Sequence, residues 1–153
     1  MLAYLALWRG STTDVWQLLD ALWPERGERM KGTLQTLVWL LRRNLGKGVI
    51  ASSAAGYTFD PAGQVWVDVE AFRQHLRAGR LEEAIRLYRG ELLPGVTWAE
   101  FERPHLERQY LRALEELAGQ HLSGGRVAEG VALFEWIVAL DPLAETVYEK
   151  LIA

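Results

Sequence analysis

Cysteine is absent from the 153 residues. That excludes disulfides, thiolate nucleophiles and every thiolate metal site, and it fits a reducing, cytoplasmic setting. Histidine is nearly as scarce. His75, His105 and His121 fall on separate segments without metal-ligand spacing. No apolar run reaches the ~18 residues of a membrane-spanning helix. The apolar start, residues 1–7, has neither a basic leader nor a small-residue cleavage site, so it is expected to be a core helix and not a signal peptide. No glycine loop suited to phosphate and no nucleophile motif is present. Gly124-Gly125 joins two expected helices with no strand before it. An enzyme is therefore not expected, nor is a cofactor or a bound metal.

What is present is ordinary for a globular chain: 50% apolar residues and 24% charged ones. The charge is unevenly spread. Residues 1–60 carry seven basic and five acidic groups, and the rest carry ten and fifteen. A basic-leaning front and an acidic back suggest two parts with different partners.

The front reads as three helices and a hairpin. Leu2, Leu5 and Ala6 make a short helical stripe that Gly10 stops. Ser11 is the expected cap of a second helix with Val15, Leu18, Leu19 and Leu22 inside. The third helix is expected over residues 29–45, with Leu34, Leu37, Val38, Leu41 and Leu45 on its buried face and Gly46 at its end. The period then changes. Residues 49–51 and 57–59 read as paired strands around a turn, and Val65-Trp66-Val67 as a further brief strand.

This order is that of a winged helix-turn-helix, in which the third helix enters the major groove and the hairpin touches the flanking backbone. Projected at about 100° per residue, the third helix gathers Lys31, Gln35, Trp39, Arg42 and Arg43 away from its apolar side, with Arg29 and Thr36 at the edge. Gln can pair with adenine, and Lys or Arg with guanine or phosphate. The candidate base readers are Lys31, Gln35 and Thr36. Trp39 could pack on a thymine methyl, and Arg42, Arg43 and Lys47 would hold phosphates, with Arg29 nearby. A solvated basic face is the plain alternative.

From Asp68 the pattern is helical again, with expected helices over residues 68–79, 81–88, 98–121 and 127–140, and one more beginning at 143. Pro104 sits in the first turn of the long one or splits it. The chain repeats itself. Gly79 to Tyr88 and Gly125 to Phe134 both read Gly, Arg, aliphatic, any, Glu, small, aliphatic, any, Leu, aromatic. The second copy runs on to Leu140-Asp141-Pro142, the usual close of a tetratricopeptide unit. The copies are 46 residues apart, not 34, so an insertion is expected near residues 92–99. Ala84 and Gly130 would let helices approach, while Tyr88, Phe134 and Trp136 fill gaps.

The fold class expected is thus mainly α: a winged helix-turn-helix over residues 1–64, then a tetratricopeptide-like domain over 65–153. Both halves together resemble the SARP-type bacterial transcriptional regulators. The residues that carry the resemblance are Leu2-Ala3-Tyr4-Leu5-Ala6-Leu7, Leu18-Leu19-Asp20-Ala21-Leu22-Trp23-Pro24, Leu41-Arg42-Arg43-Asn44-Leu45-Gly46, Gly56-Tyr57-Thr58-Phe59 and Val67-Asp68-Val69-Glu70-Ala71-Phe72. In the back half they are Leu87-Tyr88-Arg89-Gly90-Glu91-Leu92-Leu93-Pro94-Gly95, Trp98 and Leu140-Asp141-Pro142.

The resemblance implies a cytoplasmic, sequence-specific regulator of transcription, an activator by the family's name. Its third helix would read double-stranded DNA, and its back half would contact RNA polymerase or another protein. The family sets a small sheet ahead of its first helix, so it also implies an N-terminally truncated start. The expected last helix, left unpaired, would suit a partner or a second copy of the chain. Trp39 and Leu40 keep an alternative open: an interaction or oligomerisation module that retains the fold and has lost most DNA affinity.

Overall fold

The helical periods and the single change of period are realised in a computed structural model that describes residues 1–142. The helix expected from 143 onward lies outside the described residues. By its internal packing the chain forms two compact units. The first is Met1–Glu70 with Gly95–Ala99; the second is Ala71–Pro94 and the chain from Glu100 onward.

The first unit holds α1 (Leu2–Leu7), β1 (Thr12–Thr13), α2 (Val15–Leu22), a 3₁₀ turn (Gly27–Met30), α3 (Lys31–Leu45), β2 (Ile50–Ser53) and β3 (Gly56–Phe59). Leu5, Leu18, Leu19, Leu34, Val38, Ile50 and Phe59 form its core. Each such side chain contributes about 1.5–3 kcal/mol by leaving water. The strands form one antiparallel sheet in the order β1-β3-β2, with Ile50 opposite Phe59 and Thr13 opposite Tyr57. The hydroxyls of Thr12 and Thr58 lie 2.8 Å apart across β1 and β3.

Four expectations change here. First, Ser11 does not cap α2. Asp14 does: its carboxylate accepts from the Trp16 amide at 2.7 Å while the Gln17 side chain accepts from the Asp14 amide at 3.2 Å. The residues between Ser11 and that cap are free to pair as β1. Second, α3 begins at Lys31, because Arg29 belongs to the 3₁₀ turn. Third, Leu45 is 46% exposed, since the core is closed by Leu34 and Val38. Fourth, Val65-Trp66-Val67 is not a strand. The buried Asp60 carboxylate accepts from the Gln64 and Val65 amides, both at 2.8 Å, and Arg9 donates to the Val65 carbonyl. Backbone groups spent this way cannot join a ladder.

Gly56 marks the tightest point of the sheet. Its φ is +139°, and a Cβ placed there would lie 2.0 Å from the Thr13 carbonyl oxygen. Only glycine fits.

The second unit is helical: α5 (Leu81–Leu87), α6 (Glu102–Ser123), α7 (Val127–Leu140) and the Ala71–Arg77 part of α4 (Asp68–Arg77). The long helix starts at Glu102, not at Trp98, and Pro104 sits in its first turn, where a missing N–H costs nothing. Trp98 lies in a 3₁₀ turn of the Gly95–Ala99 segment and meets Tyr4 edge-on, centroids 5.1 Å apart, within the first unit.

The internal repeat is real at the level of hydrogen bonds and longer than the periodicity suggests. Arg80 N–H donates to His75 C=O at 2.9 Å and Gly79 N–H to Leu76 C=O at 3.0 Å. The same pair recurs 46 positions on, from Arg126 to His121 at 2.8 Å and from Gly125 to Leu122 at 3.1 Å. Gly79 and Gly125 take φ of +68° and +77°. Both are Schellman ends, and both follow Gln-His-Leu. Ala84 is fully buried, and a Cβ on Gly130 would meet Leu122 Cγ at 2.8 Å, so the small residues do allow close helix crossings. Tyr88 stacks on Tyr110 with centroids 4.1 Å apart, and Phe134 is buried, but Trp136 is exposed.

Two predictions follow from the first unit. Gly56→Ala should cost about 2–4 kcal/mol, from backbone strain and overpacking together. Gly46→Ala, at φ +104° with open space around it, should cost only the strain, about 1–2 kcal/mol. Urea unfolding of the two variants checks this, and equal losses would contradict it.

The second concerns Asp60. Burial pushes its carboxyl pKa up, but the Val65 and Gln64 amides and Arg9 pull harder, leaving it below the usual value. Its stabilisation is present above about pH 4, the unfolded value, and is lost as pH falls through the lowered folded value. Asp60→Asn should lower the melting temperature at pH 7 and flatten the acid limb of the stability profile below about pH 4.

Candidate nucleic-acid interface

α3 divides cleanly. Leu34 and Val38 are buried, Leu37 and Leu41 half-buried, and the other side is exposed: Gly32, Gln35, Thr36, Trp39, Leu40 and Arg43. Arg42, expected to face outward and grip phosphate, is turned to the hairpin instead. Its Nε donates to the Ile50 carbonyl at 2.8 Å and its Nη2 to the Ser52 hydroxyl. The fork of a guanidinium is suited to bridging two acceptors in this way. It fixes the hairpin to the last turns of α3.

The remaining candidates are distributed around that unit. Arg29 is exposed in the 3₁₀ turn ahead of α3, and Lys47 is exposed in the turn after it. Lys31 is held on two sides: its ammonium lies 2.8 Å from Glu28 and 4.1 Å from the ring centroid of Trp16. The hydrogen bond and charge of Lys31 in turn hold the Glu28 carboxyl below its ordinary pKa. Gln35 is exposed. The Thr36 hydroxyl donates to the Gly32 carbonyl at 3.0 Å, so its one proton is spent inside the helix. Trp39 is 56% exposed, and the Arg43 guanidinium sits over its ring, 5.3 Å from the centroid. Cation–π contacts at exposed sites contribute about 0.5–1 kcal/mol.

The structure therefore brings together Gln35, Thr36, Trp39 and Arg43 on one face and flanks it with Arg29, Lys31 and Lys47. The hairpin offers hydroxyls, Ser52 and Ser53, and no basic side chain. Trp16 was not among the candidates. It is exposed on the polar side of α2, opposite Leu18 and Leu19, and that position was the signal available for it.

Two helices, a third packed on the same core and an antiparallel sheet ending in a short hairpin define a winged helix-turn-helix, and the stacked helices with a repeated Schellman end define a tetratricopeptide-like array. That combination is the class of transcription regulators with a helical-repeat module. Residues 67–153 match the family described as Bacterial transcriptional activator domain, and the chain belongs to that family. It is also similar to Regulatory protein AfsR of Streptomyces coelicolor, at 29% identity over 168 residues. That alignment covers 99% of this chain and 17% of AfsR, so the chain spans about a sixth of the relative's length. The resemblance to SARP-type regulators holds on both counts. Among the described residues no helix is long and apolar enough to cross a membrane.

Arg42→Ala should release the hairpin. Amide exchange across Ile50–Ser53 should speed up about tenfold or more, the equivalent of a charged hydrogen bond. Lysine should not restore it, because the two acceptors are met by separate nitrogens, Nε and Nη2, and an ammonium has one. Unchanged exchange in Arg42→Ala would show that the clamp contributes nothing.

Proposed function

We propose that the chain is a DNA-binding regulator of transcription, an activator by the family it belongs to, acting in the cytoplasm. In this reading residues 1–64 are the DNA-binding domain and 65–153 the activator domain. α3 lies in the major groove of double-stranded DNA with β2 and β3 as its wing. Arg43, Lys47 and Arg29 meet phosphates, Gln35 and Lys31 address base edges, and Arg42 acts through the hairpin it holds. The observation that carries this reading is the guanidinium clamp, because it makes the exposed face of α3 and the wing one rigid surface framed by cations. The helical repeats would contact RNA polymerase or another protein, and a second copy of the chain is the other partner this reading allows.

Trp39 and Leu40 favour a second reading, in which the same face binds protein and DNA affinity has been lost. Salt dependence separates the two, since each phosphate contact releases counterions. Binding to duplex DNA should weaken steeply with salt, and Arg43→Ala with Lys47→Ala should reduce the log–log slope by about 2. Absence of duplex binding at low salt would favour the protein-binding reading.

The Lys31–Glu28 pair gives a further check. Glu28→Gln should free the ammonium and tighten duplex binding about two- to fivefold, the scale of an exposed ion pair. An unchanged or weaker affinity would remove Lys31 from the interface.

A further inference from the structure

We infer that the outer face of α3 selects thymine, through the C5-methyl groups exposed in the major groove, and that Trp39 makes the selection. This rests on the DNA-binding reading above and adds to it which base the helix prefers.

Several features of α3 point the same way. Gln35 keeps a neutral donor for a purine edge, and one turn further on, at Trp39 and Leu40, the exposed face turns apolar. Thr36 has spent its proton on the Gly32 carbonyl. What it can still offer outward is a methyl group and a lone pair. Trp39 and Leu40 follow one turn later, both exposed. Of the four bases only thymine presents a methyl group in the major groove. An indole face set against any other edge would strip water from a donor or acceptor and give nothing back.

Gly32 supports a close approach. It lies in the first turn of α3, the part of a recognition helix that contacts base edges. A Cβ there would meet nothing within 4 Å, and its φ is not in the left-handed region. Nothing among the described residues therefore asks for glycine, which costs a helix about 1 kcal/mol relative to alanine. A missing side chain at that point lets the helix settle deeper and brings Thr36 and Trp39 toward the bases.

The surroundings suit a polyanion better than an apolar protein surface. Arg29 and Lys31 stand before the stripe, and Arg43 and Lys47 stand after it. Arg43 lies over one face of the Trp39 ring, which both orients the indole and places a cation beside whatever the ring touches. An apolar stripe between cations matches the inside of a major groove, with methyls along the floor and phosphates along the rims.

The test uses the duplex most enriched by the whole chain from a random-sequence pool, made once with thymine and once with uracil. The exchange removes methyl groups and leaves every donor and acceptor in place. The chain should prefer the thymine duplex by about fourfold for each contacted methyl, the weight of one buried CH₂ group. Trp39→Ala should bring that ratio close to one while retaining salt-dependent binding. Trp39 is exposed, so the variant should fold, and Trp39→Gln provides a second variant should it not.

Equal affinity for both duplexes, or a Trp39→Ala variant that keeps the full preference, would overturn the inference and leave DNA binding standing. Failure to retain any duplex at low salt would overturn both, and would assign the Trp39 face to a protein.

Discussion

The guanidinium of Arg42 joins a helix to the hairpin that shares its apolar core. α3 is fixed from below by Leu34 and Val38 and from the side by the Arg42 fork on Ile50 and Ser52. The sheet is fixed at its far edge by the close approach of Gly56 to the Thr13 carbonyl. The Asp60 carboxylate, with Arg9, then gathers the chain leaving β3 and commits its amides. Arg42, Arg9 and Asp60 each satisfy backbone polar atoms near an end of regular structure, and Gly56 lets β1 and β3 close on each other. That is how so short a sheet is kept in register.

The second unit depends on a different device, used twice. A glycine in the left-handed conformation ends one helix, and the arginine after it returns a hydrogen bond into the helix just finished. The next helix starts at once, packed through a small residue, Ala84 in one copy and Gly130 in the other. Between the copies the chain turns through Leu93, at φ +45°, and Arg103 holds that turn by donating to the carbonyls of Leu92 and Leu93. The extra spacing between the repeats is therefore a built segment and not slack. Its Gly95–Ala99 stretch belongs to the other unit.

Much of this was legible in advance, for a physical reason. α2, α3 and the helices of the repeat bury one face, and burial leaves a period of 3.6 in the sequence. The hairpin leaves a change of period followed by Gly-Tyr-Thr-Phe. Features without a period were not legible. β1 is two residues long and exists only because β3 is there to pair with. Asp14 and Ser11 are both good caps, and only the pairing of Thr12 and Thr13 decides between them. Val65 to Val67 has the composition of a strand, but a distant carboxylate takes its amides. On a helical wheel Arg42 falls between Lys31 and Gln35, yet a long side chain at the edge of a face can reach the neighbouring element, and here it does. Trp16 and Trp39 are in part the converse: large apolar residues that composition would bury and that the structure leaves in water.

Hydrogen exchange of the whole chain, with and without random-sequence duplex DNA at low salt, tests the central claim most directly. If α3 and the hairpin present one DNA-reading surface, protection should rise across residues 31–47 and 50–56 and leave α6 and α7 as they were. Protection confined to the helical repeats, or absent throughout, would contradict the account.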